Sequence, residues 1–326
     1  MSLLIPTEVD YKDAHGHPTI EEEYQAELER LANEGNKEFS WDFEVVPGFF
    51  VQSDPATNDL KFRYTQANLG RLKTWDQIQK DLALLNENAN DNEVYKLIIC
   101  ARHGQGYHNM IVEKYSLDAW NKKWNVLGTD GELVYGPDAM LSELGLNQGR
   151  ENNNVWKEEI EQHGAPIPSK FYVSPLQRSL WTCVLTWDGL RPSHINPVVT
   201  ENLRETIGQN LCDKRSSKTV ISERFGQYGF VFEEGFEEED ILHTPRRETA
   251  LEQAVRTNRF CQALFEEDWD EKAGKVNKEL AVKHSFISTT SHAGTIRSLI
   301  IVFGHRRFTI STGGMVPIVV KATRVA

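Results

Sequence analysis

The sequence predicts an α/β fold, a three-layer αβα sandwich with a mostly parallel central sheet and lid insertions over the C-terminal ends of its strands. Three observations predict it. Lys96 to Ala101 (KLIICA) is a continuous apolar run, which suits a strand covered on both faces. Beyond it, short strand-like runs alternate with helical patterns, the order of βαβ units. A chain of 326 residues with 39% hydrophobic content can also bury such a core, which excludes global disorder.

Taken in order, residues 20–34 (IEEEYQAELERLANE) predict an acidic surface helix ending near Gly35. Val45 to Val51 (VVPGFFV) predicts a short edge strand, because Pro47 cannot donate to a ladder. Lys170 to Val173 (KFYV), Ile195 to Val199 (INPVV) and Ser285 to Thr290 (SFISTT) follow KLIICA as strands, and Met315 to Ala322 closes the sheet. Helices are predicted over 175–188, 250–265 and 295–303. The second gathers Leu251, Ala254, Val255, Cys261, Leu264 and Phe265 on one face; the third stops at Gly304. Ser174-Pro175-Leu176-Gln177 reads as a capping box, and Ser291 as a second N-cap. No repeat or Pro-rich linker divides the chain. One domain over 1–326 is expected, with 1–95 as an N-terminal extension and 96–326 as a core carrying insertions near 110–140 and 206–247.

A formal net charge of −12 argues against nucleic acid or an anionic membrane as the main partner. No apolar run reaches the roughly 18 residues a membrane span needs, and MSLLIPTEVD lacks a basic n-region. A cytoplasmic protein is expected, with nuclear access left open. The scattered Cys100, Cys183, Cys212 and Cys261 read as buried thiols. Glu233 to Asp240 (EEGFEEED) reads as a solvated loop, and Trp120, Trp124 and Tyr135 as packing for the 110–140 insertion. Gly104-Gln105-Gly106 has no GK[ST] after it, so a nucleotide P-loop is not expected. His103 and His108 have no carboxylate or Cys at matching spacing, so neither a metal nor another cofactor is expected.

The strand ends carry the chemistry. After KLIICA come Arg102 and His103; after KFYV comes SPLQR with Arg178; beyond INPVV stands ENLRE with Arg204 and Glu205; after SFISTT comes His292. Open parallel sheets bind ligands outside the carboxyl ends of their strands. Guanidiniums hold a phosphate through charge-assisted hydrogen bonds, and helix N-termini near Arg178 and His292 add backbone donors. A neutral His can attack phosphorus to give a phosphohistidine, and a protonated Glu205 can supply the leaving group's proton. Which histidine attacks stays open at this level. Asp213-Lys214-Arg215 and Arg246-Arg247 are candidates for substrate specificity, with Lys214 and Arg215 taken as substrate contacts.

RHGQGYHN (Arg102 to Asn109) resembles the signature of the histidine phosphatase, or phosphoglycerate mutase-like, superfamily. The resemblance continues in family order through LSELGLNQG (Leu141 to Gly149), SPLQR, LRE and SHAG, and leaves residues 1–95 without a core motif. It implies His103 as nucleophile and Arg102, Arg178 and His292 as the phosphate pocket. It further implies Asn109 as a secondary phosphate contact and Glu205 as general acid and later base. QGYHN, CDKRS (Cys212 to Ser216) and the ending TGGMVPIVVKAT are most similar to the fungal phosphomutase-like branch, whose members are regarded as phosphatases. One departure matters. In the phosphoglycerate mutases an Arg follows the acidic proton donor, whereas Thr206, Ile207 and Gly208 follow Glu205 here.

The expected function is metal-independent hydrolysis of a small phosphorylated metabolite. A mutase or phosphotransferase with the same nucleophile, and a silent phosphate-binding scaffold, are the alternatives.

Overall fold

The computed structural model describes residues 2–325. Its centre is a seven-stranded sheet built from β1 (Trp41–Val45), β2 (Glu93–Arg102), β3 (Lys170–Val173), β4 (Val198–Val199), β5 (Val231–Phe232), β8 (Phe286–Ser291) and β9 (Met315–Arg324). A separate hairpin joins β6 (Trp269–Asp270) to β7 (Lys275–Val276). The large sheet runs β1-β9-β2-β8-β3-β4-β5. From β2 to β5 all pairings are parallel, and only the β2–β9 and β9–β1 pairs are antiparallel. The helices are α1 (Glu8–His15), α2 (Ile20–Asn33), α3 (Trp75–Asn88), α4 (Tyr107–Tyr115), α5 (Leu117–Lys122), α6 (Glu143–His163), α7 (Gln177–Thr186), α8 (Lys218–Phe225), α9 (Ala250–Glu266), α10 (Lys278–Lys283) and α11 (Ala293–Phe303).

The alternation of β2 explains the three layers. Val94, Ile98 and Cys100 face a core shared with α2, α9 and α11. Leu97, Ile99 and Ala101 face the opposite core, shared with α3, α6 and α7. Successive strand side chains point to opposite faces, so an apolar strand needs a helical layer on each. Lys96, 1% exposed, is the polar exception; its Nζ donates to Asp268 Oδ2 at 2.5 Å and to the His284 carbonyl at 3.0 Å.

Several local expectations are corrected. The edge strand is Trp41–Val45 rather than Val45 to Val51; the latter run turns inward and buries Phe49 and Phe50. The helix after SPLQR starts at Gln177, two residues later than a cap at Ser174 requires, because the Ser174 hydroxyl is bonded to His292. Ser291 ends β8, and His292 itself holds the N-cap position of α11. EEGFEEED is not simply solvated. Asp240 grips the buried Arg204, and Glu233 accepts from the Thr200 hydroxyl. All four cysteines are buried free thiols, and Trp120 and Tyr135 pack with Ile111 inside the 110–140 segment. Among the described residues no helix is long and apolar enough to cross a membrane.

Candidate active site

The end of β2 is clamped from both sides. Arg102 N–H donates to the Gly314 carbonyl and His103 N–H to the Ser291 carbonyl. Two glycines then let the His103 loop press against α6: a Cβ on Gly104 would lie 2.4 Å from the Gly145 carbonyl oxygen, and one on Gly145 would lie 2.1 Å from that of Gln105. Both approaches are shorter than any side-chain carbon tolerates. The glycines of RHG and of LSELGLNQG thus meet each other.

His103 is 2% exposed, and its Nδ1 lies 2.6 Å from the Gly104 carbonyl oxygen. A carbonyl only accepts, so Nδ1 carries the proton and Nε2 keeps its lone pair. Burial first, then the charges of Arg178, His292, His108 and Arg102, push the His103 pKa well below its ordinary value, so the ring is neutral. This is the protonation state a nucleophile needs.

The His292 ring centroid lies 5.0 Å from that of His103, and its Nε2 meets Ser174 Oγ at 2.7 Å. Its buried Nδ1 has no partner. Arg178 is fully buried; Nη1 donates to the Cys212 carbonyl at 2.9 Å and Nη2 to Asp213 Oδ1 at 2.7 Å. Arg102 Nη1 donates to Asp10 Oδ1 at 2.6 Å and to the Ile310 carbonyl at 2.7 Å. Each guanidinium is oriented by a carboxylate and a carbonyl, which leaves further donors for an oxyanion.

Glu205 approaches the first turn of α11 because Gly294 has no side chain; a Cβ there would lie 2.3 Å from Glu205 Oε1. Burial would raise this carboxyl, but the Thr206 amide and the charges of Arg247, Arg297 and Arg178 outweigh it and hold the pKa at about 2. Glu205 is therefore ionised at neutral pH. Arg256 of α9 fixes the backbone beneath it, donating to the carbonyls of Asn202, Arg204 and Glu205.

The structure therefore brings Arg102, His103, Arg178, Glu205 and His292 to one edge of the sheet. Asn109 stands there too, but its Oδ1 accepts from Gly106 N–H as a cap of α4, so only its amide nitrogen is left for a ligand. Arg215 is a correction. Its five N–H groups go to Glu201 and to the carbonyls of Ser216, Glu237, Glu238 and Glu239, so none remains for substrate. Lys214 is exposed beside it in the chain. Three participants, Asp10, Ser174 and His108, escaped the sequence reading as site residues, and a fourth, Asp213, was named there only as a candidate for substrate specificity. Asp10 and Asp213 hold the two guanidiniums, and Ser174 holds His292. His108 packs 5.5 Å from the His103 ring with an unpartnered, buried Nδ1. His108 had a usable signal, standing five residues beyond His103 at the start of a helix; Asp10 had none, and nothing in the sequence pairs Asp213 with Arg178.

The chain is 34% identical over 277 residues to phosphomutase-like protein 3 of Candida albicans, a match covering 83% of this chain and 78% of the relative. The chain belongs to the phosphoglycerate mutase-like, or histidine phosphatase, superfamily. Within this family it is also 31% identical to a probable phosphoglycerate mutase of Arthroderma benhamiae, over 86% of this chain and 84% of the relative. A probable phosphoglycerate mutase of Saccharomyces cerevisiae is 29% identical over 85% of this chain and 95% of the relative. No family model matches the chain. The superfamily position agrees with the resemblance seen in the motifs from Arg102 to Gly294, and the phosphomutase-like name of the Candida relative agrees with the branch.

Proposed function

We propose that this histidine phosphatase hydrolyses small phosphomonoester metabolites through a phosphohistidine on His103, without a metal ion. The observation that carries this reading is the His103 ring: its tautomer fixed by the Gly104 carbonyl, its Nε2 lone pair available, and two buried guanidiniums beside it. Nε2 attacks phosphorus, forming the P–N bond as the P–O bond to the alcohol breaks. The departing oxygen takes the proton carried by the substrate's phosphate monoanion, relayed through Glu205, whose carboxylate then accepts a proton from the water that attacks the phosphohistidine and passes it to the released phosphate. Arg102, Arg178 and His292, with the Asn109 amide, hold the transferring oxygens, and the two guanidiniums supply the positive charge that other phosphoryl-transfer sites draw from metal ions. The four buried free thiols support a reducing, cytoplasmic setting.

A mutase is the second reading, favoured by the names of two relatives. The stretch Thr206-Ile207-Gly208 after Glu205, where the phosphoglycerate mutases carry an Arg, weighs against it. The test is phosphate release from an aryl phosphate and a metabolite panel in excess chelator, with His103→Ala alongside. Chelator-resistant turnover that vanishes in the variant, with an acid-labile phosphoenzyme in the wild type, is expected. Turnover surviving in His103→Ala overturns the nucleophile, and isomerised phosphoester without free phosphate turns the assignment to a mutase.

A further inference from the structure

The segment after Glu205 and the one leading into α9 run side by side. Gln209 N–H donates to the Thr244 carbonyl and Glu248 N–H to the Ile207 carbonyl, both at 2.8 Å. Glu248 Oε2 accepts from Ile207 N–H at 3.0 Å. Gly208, at φ +87°, lies so close to this segment that a Cβ would stand 1.9 Å from the Arg246 carbonyl oxygen. The backbone of 246–248 is therefore fixed to the Glu205 loop.

The two arginines on that backbone have different fates. Arg246 is exposed and paired with Glu252 at 2.6 Å. Arg247 is 34% exposed, and only its Nη1 makes contacts, both long: 3.4 Å to the Gly208 carbonyl and 3.5 Å to Asp213 Oδ2. The other oxygen of that same Asp213 holds Arg178. One carboxylate thus separates Arg247 from the buried guanidinium of the candidate phosphate pocket. Arg247 is also the foremost of the cations that lower the Glu205 carboxyl, the group assigned above to the departing alcohol. The neighbouring Arg215 has every donor engaged, whereas the Nε and Nη2 of Arg247 are unengaged. A contact of 3.5 Å at a partly open position adds little to folding. A guanidinium that is anchored at its backbone, open at its fork and placed at the rim of an anion pocket suits bidentate capture of a second oxyanion.

We propose that Arg247 binds a second anionic group on the alcohol portion of the substrate, so that the preferred substrates are phosphomonoesters whose alcohol also carries a carboxylate or a further phosphate. This rests on the phosphatase reading above. It also supplies, from a different segment, a substrate contact that Thr206 cannot make.

The experiment compares kcat/KM on two matched pairs: glycerol 1-phosphate against glycerate 3-phosphate, and ribose 5-phosphate against ribose 1,5-bisphosphate. The first pair reads a carboxylate and the second a phosphate. The proteins are wild type, Arg247→Ala, Arg247→Lys and, as a surface control, Arg246→Ala. Wild type is expected to prefer the anion-bearing member of at least one pair by about tenfold or more, a modest return for one charge-assisted contact. Arg247→Ala removes that preference through KM, Arg247→Lys recovers part of it, and Arg246→Ala keeps it. A wild type indifferent in both pairs, or an Arg247→Ala loss equal on both members, overturns the proposal while His103-dependent turnover stands. If no ester is hydrolysed, or His103→Ala matches wild type, the phosphatase reading fails and takes this inference with it.

Discussion

The pH dependence of turnover follows from the state of Glu205, and Glu205→Gln is the perturbation that exposes it. With its carboxyl held at about 2, Glu205 would have to be protonated five units below neutral pH. At about 1.4 kcal/mol per unit that is roughly 7 kcal/mol, so Glu205 does not itself store the proton. The proton must arrive with the substrate, as the phosphate monoanion, whose second ionisation lies near pH ~6. His103 is neutral where the rate falls, because burial holds its pKa well below its ordinary value. The rate constant kcat/KM should therefore be level near pH ~5 and fall about tenfold per unit above ~6. In Glu205→Gln the relay is lost, and an alkyl phosphate should slow by roughly 10²–10⁴. A 4-nitrophenyl ester leaves as a stable phenolate and should slow far less. Initial rates across this range with both esters measure each quantity. A kcat/KM that does not change with pH, or a Gln variant equally slow on both esters, would refute the reasoning.

Other outcomes are expected from the same contacts. His108→Asn should weaken inhibition by vanadate and lower kcat/KM in parallel across substrates, because an unpartnered ring nitrogen beside His103 is available to an equatorial oxygen; unchanged vanadate inhibition would place His108 outside the pocket. Ser174→Ala removes the 2.7 Å anchor of His292 and should cost about 1 kcal/mol of transition-state binding, about fivefold in kcat/KM. Asp268→Ala strands the buried Lys96 ammonium, whose pKa burial already lowers, and should reduce unfolding free energy in urea by about 3–5 kcal/mol. A urea midpoint matching wild type would show that the Lys96 charge is relieved some other way.

The sheet was legible in the sequence because its signals are local. KLIICA is apolar at the five consecutive positions after Lys96, and β3, α9 and the Gly304 stop all fall within a residue or two of their expected places. The strand-end residues were legible for the same reason. What escaped was pairing through space. Asp10 lies 92 residues from the Arg102 it orients, and Asp213 lies 35 from Arg178, with no pattern linking either pair. Ser174 shows a local signal overridden: Ser-Pro-x-Gln is a sound capping box, but the hydroxyl bonds more closely to an imidazole than a cap would allow. The acidic run 233–240 misled for a related reason, since nothing local shows that two buried guanidiniums, Arg204 and Arg215, draw on it.

The grip on Arg102 has a consequence for how the protein becomes active. Its Nη1 is shared between Asp10 and the Ile310 carbonyl, 208 residues further on. Contacts of such separation form late, since the intervening chain must first be ordered. During synthesis the first turn of α1 leaves the ribosome early and has to wait for the last segment of the sheet before it can close over the guanidinium. The Arg102 geometry is thus completed only when the segments around Asp10 and Ile310 have met. A nick that frees the residues around Asp10 is then expected to leave the layered core in place and the pocket slack.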